Sequence, residues 1–142
     1  MNGSQRWVAF AVIAALLLTG ASVAAAKYLT APAVGTYTQA PSAGGLVADD
    51  ALTGKDYETA FQCSGEAPWY KVWVRNFGPD DLKIDVGREI TGETIVAGET
   101  KTYVFKTWLL GRGVTVKIAG ADGADLNGKI AIKTAAQESD LS

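Results

Sequence analysis

The stretch Trp69-Tyr70-Lys71-Val72-Trp73-Val74-Arg75-Asn76-Phe77-Gly78-Pro79-Asp80-Asp81-Leu82-Lys83-Ile84-Asp85-Val86 decides the fold class. Successive side chains of a strand point to opposite faces, so period-two alternation marks a strand with one buried side. Tyr70, Val72 and Val74 fall on one side, and Trp69, Lys71, Trp73 and Arg75 on the other. The run stops at Gly78-Pro79-Asp80-Asp81, where proline fixes φ and the aspartates can accept local hydrogen bonds. Alternation then resumes, with Leu82, Ile84 and Val86 on one side and Lys83 and Asp85 on the other.

The same grammar extends both ways. Residues 57–62, 90–96, 100–108, 114–118 and 129–133 read as further strands, with glycine-containing turns such as Ala97-Gly98-Glu99 and Gly111-Arg112-Gly113 between several of them. Seven strands about ten residues apart, with no 3.6-residue periodicity between them, predict a small antiparallel β-sandwich, immunoglobulin-like or jelly-roll-like. The inward set is Tyr70, Val72, Val74, Leu82, Ile84, Val86, Tyr103, Phe105, Val114, Val116, Ile118, Ile130 and Ile132. Lys71, Arg75, Lys83, Asp85, Thr115, Lys117, Lys129 and Lys133 face water. The sandwich is expected over 56–134. Residues 27–55, rich in small residues and proline, read as an extended arm or linker, and 135–142 as a disordered polar tail.

Residues 1–26 read as a signal peptide. Arg6 precedes an 11-residue apolar run, 8–18, and Ala24 and Ala26 supply the small side chains a signal peptidase requires before Lys27. The alternative is an uncleaved anchor, since residues 7–26 carry no charge. Eight of those 20 residues are alanine, which makes membrane insertion weak and favours cleavage. The expected location is therefore extracellular, at the cell surface or periplasmic, with the membrane met only through an uncleaved N-terminus.

Composition removes several activities. The chain has 13 Lys+Arg, 15 Asp+Glu and no histidine, a net charge of −2. It lacks the basic footprint of a nucleic-acid binder, and it has no imidazole base or ligand. No cofactor, metal site or catalytic group is expected. The loop 122–128 is out of register for a calcium site and reads as a hairpin turn. Cys63, a thiol with no histidine to activate it, reads as a buried inert side chain or as one half of an intermolecular disulfide.

One anomaly points to function. Trp69 and Trp73, with Phe77 beyond them, lie on the outward side of their strand beside Lys71 and Arg75. Outward aromatics among cations suit a protein interface or a glycan platform. The alternative reading inverts the face or covers it with the arm. The segment Val74-Arg75-Asn76-Phe77-Gly78, followed by Val96-Ala97-Gly98-Glu99-Thr100-Lys101-Thr102-Tyr103, resembles the strand ends of many bacterial surface β-sandwiches, a generic likeness that names no family. Together these readings lead to a secreted, non-enzymatic structural protein. It would be a subunit of an extracellular filament, surface layer or envelope assembly, contacting itself or another envelope protein. A monomeric glycan-binding module and a membrane-anchored accessory protein are the alternatives.

The processing expectation is directly measurable. Intact-mass analysis of the protein recovered from its host should place the mature N-terminus within about two residues of Lys27. A chain retaining Met1 in the membrane fraction would identify an anchor instead.

Overall fold

The alternating stretch forms the strand it predicts: Tyr70, Val72, Val74 and Asn76 are all buried, while Trp69, Lys71 and Trp73 are half-buried and Arg75 is exposed. The computed structural model describes residues 37–107 and 113–142. Their strands are β1 (Thr38–Gln39), β2 (Gly44–Leu52), β3 (Asp56–Gln62), β4 (Trp69–Asn76), β5 (Leu82–Val86), β6 (Ile90–Ile95), β7 (Thr100–Lys106), β8 (Gly113–Gly120) and β9 (Gly128–Ala135). No α-helix occurs among the described residues.

The strands make two sheets, one ordered β1-β3-β8-β5-β6 and the other β2-β9-β4-β7. Every pairing is antiparallel except the short β1–β3 contact. Inward residues of both sheets merge into one core, Val72, Val74, Ile130 and Ile132 from one sheet against Phe61, Ile84, Val116 and Ile118 from the other. Phe61 and Tyr70 meet across it edge to face, with ring centroids 5.4 Å apart. The predicted inward positions are buried, Phe105 half so.

Chain order alternates between the sheets at every step except β5 to β6, which form a hairpin within one sheet. Pairing is nested around the turn at Gly87–Glu89: Leu82 pairs with Ile95, Trp69 with Lys106, Asp56 with Ala119 and Gly44 with Ala135. The loop 121–127, expected as a hairpin, therefore joins strands of opposite sheets. Its 3-10 turn, Ala121–Gly123, has Asp122 at φ 54 and is tied to distant loops. Ala121 donates to Asp81 O at 2.9 Å, and Leu126 to Gly54 O at 2.6 Å.

Two further expectations need correcting. The described part of the supposed arm, residues 37–55, belongs to the sheets: β1 lies along β3, and β2 runs the length of β9. Alternation is hard to see in β2 because a register shift between Leu46 and Ala48 breaks its period, and Gly44, Gly45, Asp49 and Asp50 dilute its apolar content. The rest of that segment, 27–36, and the signal segment 1–26 lie outside the described residues. The tail, expected to be disordered, forms a 3-10 turn, Glu138–Leu141, that packs against β4 and β9 with Leu141 buried. One apolar side chain near the C-terminus is enough to anchor it.

Membership of β2 in the fold has a measurable consequence. Leu52 is 1% exposed and packs in the core, so Leu52→Ala should lower unfolding free energy by about 2–4 kcal/mol in urea titration. A free arm would leave stability unchanged.

Candidate functional site: the outer face of the four-stranded sheet

Cross-strand register builds this face from three strands around the aromatic stripe. Trp69 sits between Ala135 of β9 and Lys106 of β7, Lys71 between Lys133 and Val104, Trp73 between Ala131 and Thr102, and Arg75 between Lys129 and Thr100. On the far side of β9, Leu46 pairs with Lys133, Asp49 with Ala131 and Ala51 with Lys129. Gly128 lets β4 and β9 close up at this end, since a Cβ there would lie 2.2 Å from Arg75 O.

The residues singled out from sequence thus share one surface, and Val72 and Val74 do point inward at 0% exposure. Two cations lie over aromatic rings: Lys106 Nζ is 5.9 Å from the Trp69 ring centroid, and the Arg75 guanidinium is 5.5 Å from that of Phe77. Phe77 is 54% exposed and Leu46 56%. Lys129 pairs with Asp49 at 3.2 Å. Beside Phe77 and Lys129 lies a shallow depression of about 370 Å³, lined also by Asp49, Asp50, Ala51 and Gly128.

Three contributors to this face were not joined to the stripe by sequence reasoning: Lys106, Lys129 and Lys133. Alternation marks Lys129 and Lys133 as outward, but only the β4–β9 register puts them beside Arg75 and Lys71. The opposite outer face, on the five-stranded sheet, has a different character. Its depression of about 300 Å³ is lined by Asp56, Glu58, Lys83, Asp85 and Lys117 together with the half-buried Tyr57, a mixed-charge surface.

Cys63 lies apart from this surface. It is 8% exposed and belongs to the core, and burial pushes its thiol pKa up, partly countered by a hydrogen bond with Thr107. A raised pKa disfavours the reactive thiolate. An intermolecular disulfide would have to uncover it first. No cluster of three or more metal-ligating side chains occurs among the described residues.

Polar chemistry collects instead where the sandwich opens. On one side the Tyr57 hydroxyl donates to Asp50 Oδ2 at 2.6 Å. On the other, Lys101 Nζ donates to Glu93 Oε1 and to Thr94 O, both at 2.9 Å. The Lys101 hydrogen bond holds Glu93 below the usual carboxylate range, and the same bond raises Lys101. The Tyr103 hydroxyl is buried nearby and makes no hydrogen bond of good geometry.

Compared with known protein families and with curated proteins, the chain matches none.

The two tyrosines carry a pH dependence. Burial, followed by the Asp50 hydrogen bond, raises Tyr57 far above the ordinary 10.0. Burial, followed by the Glu93 charge, does the same to Tyr103. A raised pKa means the fold favours the neutral phenol. That stabilisation is complete below pH 10.0 and is lost as pH climbs through the raised values. In thermal melts above pH 10 the Tyr57→Phe, Tyr103→Phe double variant should lose stability less steeply than the parent. Parallel curves would show that neither hydroxyl couples to folding.

Proposed function

We propose that the chain is an exported, non-enzymatic structural protein: a subunit of an extracellular filament, surface layer or envelope assembly that works by contact with itself or with another envelope protein. The observation that carries this reading is the outer face of the four-stranded sheet, where Trp69, Trp73 and Phe77 stand among Lys71, Arg75, Lys106, Lys129 and Lys133. Trp and Arg concentrate in the energetic centres of protein interfaces, because a large flat side chain excludes water while its polar atoms keep partners. Export is supported by the pattern of residues 1–26, and a non-enzymatic role by a chain without histidine.

The strand order β2-β9-β4-β7 facing β3-β8-β5-β6 favours the jelly-roll reading of the sandwich over the immunoglobulin-like one, since consecutive strands switch sheets at all but one step. Jelly rolls occur in capsid subunits and in lectins alike, so the fold by itself does not choose between assembly and sugar binding. The contact is read as made by the sheet face and not by strand donation from residues 44–52, which already pair within their own chain.

Glycan binding would use the same aromatics, and one set of variants separates the two. In sedimentation, Trp73→Ala should weaken association by about tenfold to a hundredfold, as expected for removing one indole from a contact. Unchanged association, together with loss of oligosaccharide binding in the same variant, would replace the assembly reading with the glycan one.

A further inference from the structure

The charge on this molecule is sorted. Of the 13 Lys+Arg in the chain, Lys71, Arg75, Lys106, Lys129 and Lys133 occupy outward positions on β4, β7 and β9. Of the 15 Asp+Glu, only Asp49 occupies an outward position on those strands or on β2. The chain as a whole is nonetheless acidic, at −2. The remaining surface must therefore carry the excess of carboxylates.

Part of that excess collects at one end of the sandwich. Loops 53–55, 77–81 and 121–127 are stitched together there: Phe77 donates to Asn127 O at 2.9 Å, Ala121 to Asp81 O at 2.9 Å and Leu126 to Gly54 O at 2.6 Å. Asn127 Nδ2 adds a bond to Gly78 O at 2.7 Å. These bonds hold Asp80, Asp81, Asp122 and Asp125 on a single cap. Lys55 is the one cation among these loops; it pairs with Asp125 at 2.9 Å and also donates to Gly123 O at 2.9 Å. Asp80, Asp122 and Asp125 are exposed.

We propose that the occupant of the aromatic, cationic face is the acidic loop end of a second copy of this chain. The inference rests on the assembly reading above and specifies its geometry. Face and end are different surfaces, so the contact is heterologous: each copy offers a face to one neighbour and an end to another. Repetition of such a contact gives a ring where the rotation closes and an open filament where it does not. The acidic end is the better complement than the back of the molecule, where Lys83 and Lys117 offset Asp56, Glu58 and Asp85. Charge complementarity sets register and speeds encounter, while Trp73 and Phe77 exclude water at the contact.

The test uses sedimentation of the protein as recovered after expression of the full chain, and neutralises side chains that make no intramolecular ion pair on the face. Arg75→Gln with Lys133→Gln should weaken association about tenfold or more, and so should Asp80→Asn with Asp122→Asn. Raising salt should weaken the parent in the same sense. An equimolar mixture of the two double variants is the decisive sample. Each then keeps one intact surface, so the mixture should form dimers and stop there, which also proves both variants folded. If the parent associates but the double variants match it, or their mixture stays monomeric, this geometry is wrong while the assembly reading stands. If the parent is monomeric up to about a hundred micromolar, the assembly reading fails and takes this inference with it.

Discussion

The constraint on which everything else depends is the nesting of strand pairs around the turn at Gly87–Glu89. Each outer pair, from β5–β6 through β4–β7 and β3–β8 to β2–β9, encloses the one before it. A hairpin of that length cannot stay flat, because its apolar face would be left in water. Rolling it up places β4 beside β9 and β5 beside β8, and the two new interfaces close both sheets. The outermost pair joins residues far apart in sequence, Gly44 with Ala135, so loop-closure entropy makes β2–β9 the costliest contact to form. The composite face depends on the same event, since β9 supplies Lys129 and Lys133 only once it lies against β4.

One buried polar side chain sets the geometry of the end that nesting creates. Asn76 is 1% exposed, and all its polar atoms are engaged. Nδ2 donates to Asp80 O and Ile95 O, both at 2.9 Å, and Oδ1 accepts from Gly78 N at 2.8 Å. Its backbone N–H donates to Glu99 O at 2.9 Å, and its carbonyl accepts from Gly98 N at 2.8 Å. A buried amide with every bond made is specific where an apolar residue would be permissive, because any other loop arrangement leaves it unpaired. Asn76 thus fixes the path of 77–81 between the sheets, placing Phe77 at the rim of one surface and Asp80 on the next.

Much of this was legible in the sequence, for a physical reason. Although 90–96 is marked weakly because Gly92 interrupts it, most of the predicted strands are marked by apolar residues at period two, such as Val72 and Val74, or Ile130 and Ile132. Their burial is a local property of a strand on a core. The β2 strand escaped because its bulge interrupts the period and its position at a sheet edge asks for little apolar content. Asp50 would argue against any inward assignment, yet it lies at the open side of the sandwich, where Tyr57 reaches it. The tail escaped because a single buried leucine, Leu141, leaves no periodic trace. Alternation put Trp69, Lys71, Trp73 and Arg75 on one outward face, as the cross-strand register also does, but the cations beside them come from strands distant in sequence. Cross-strand register, set by nesting, is not written in any one segment.

The half-burial of the two tryptophans bears on how strongly such a face can act. Trp69 and Trp73 already rest on neighbouring strands, and Lys106 lies over the Trp69 ring, so the free molecule does not expose a large oily patch. The apolar side chains left most open, Phe77 at 54% just past the end of β4 and Leu46 at 56% on β2, have Lys129 and Lys133 near them. Cations beside aromatics keep the surface wetted while it is unpartnered, and they become favourable only when a carboxylate replaces that water. On the proposed geometry each contact is therefore modest by itself. Because every copy would carry both halves of the contact, a modest affinity would chain copies together at high concentration, and where the chain closes into a ring the last contact would form at the high effective concentration set by the others. On that proposal a weak, salt-sensitive and repeated contact would leave copies separate while dilute and join them where they are concentrated.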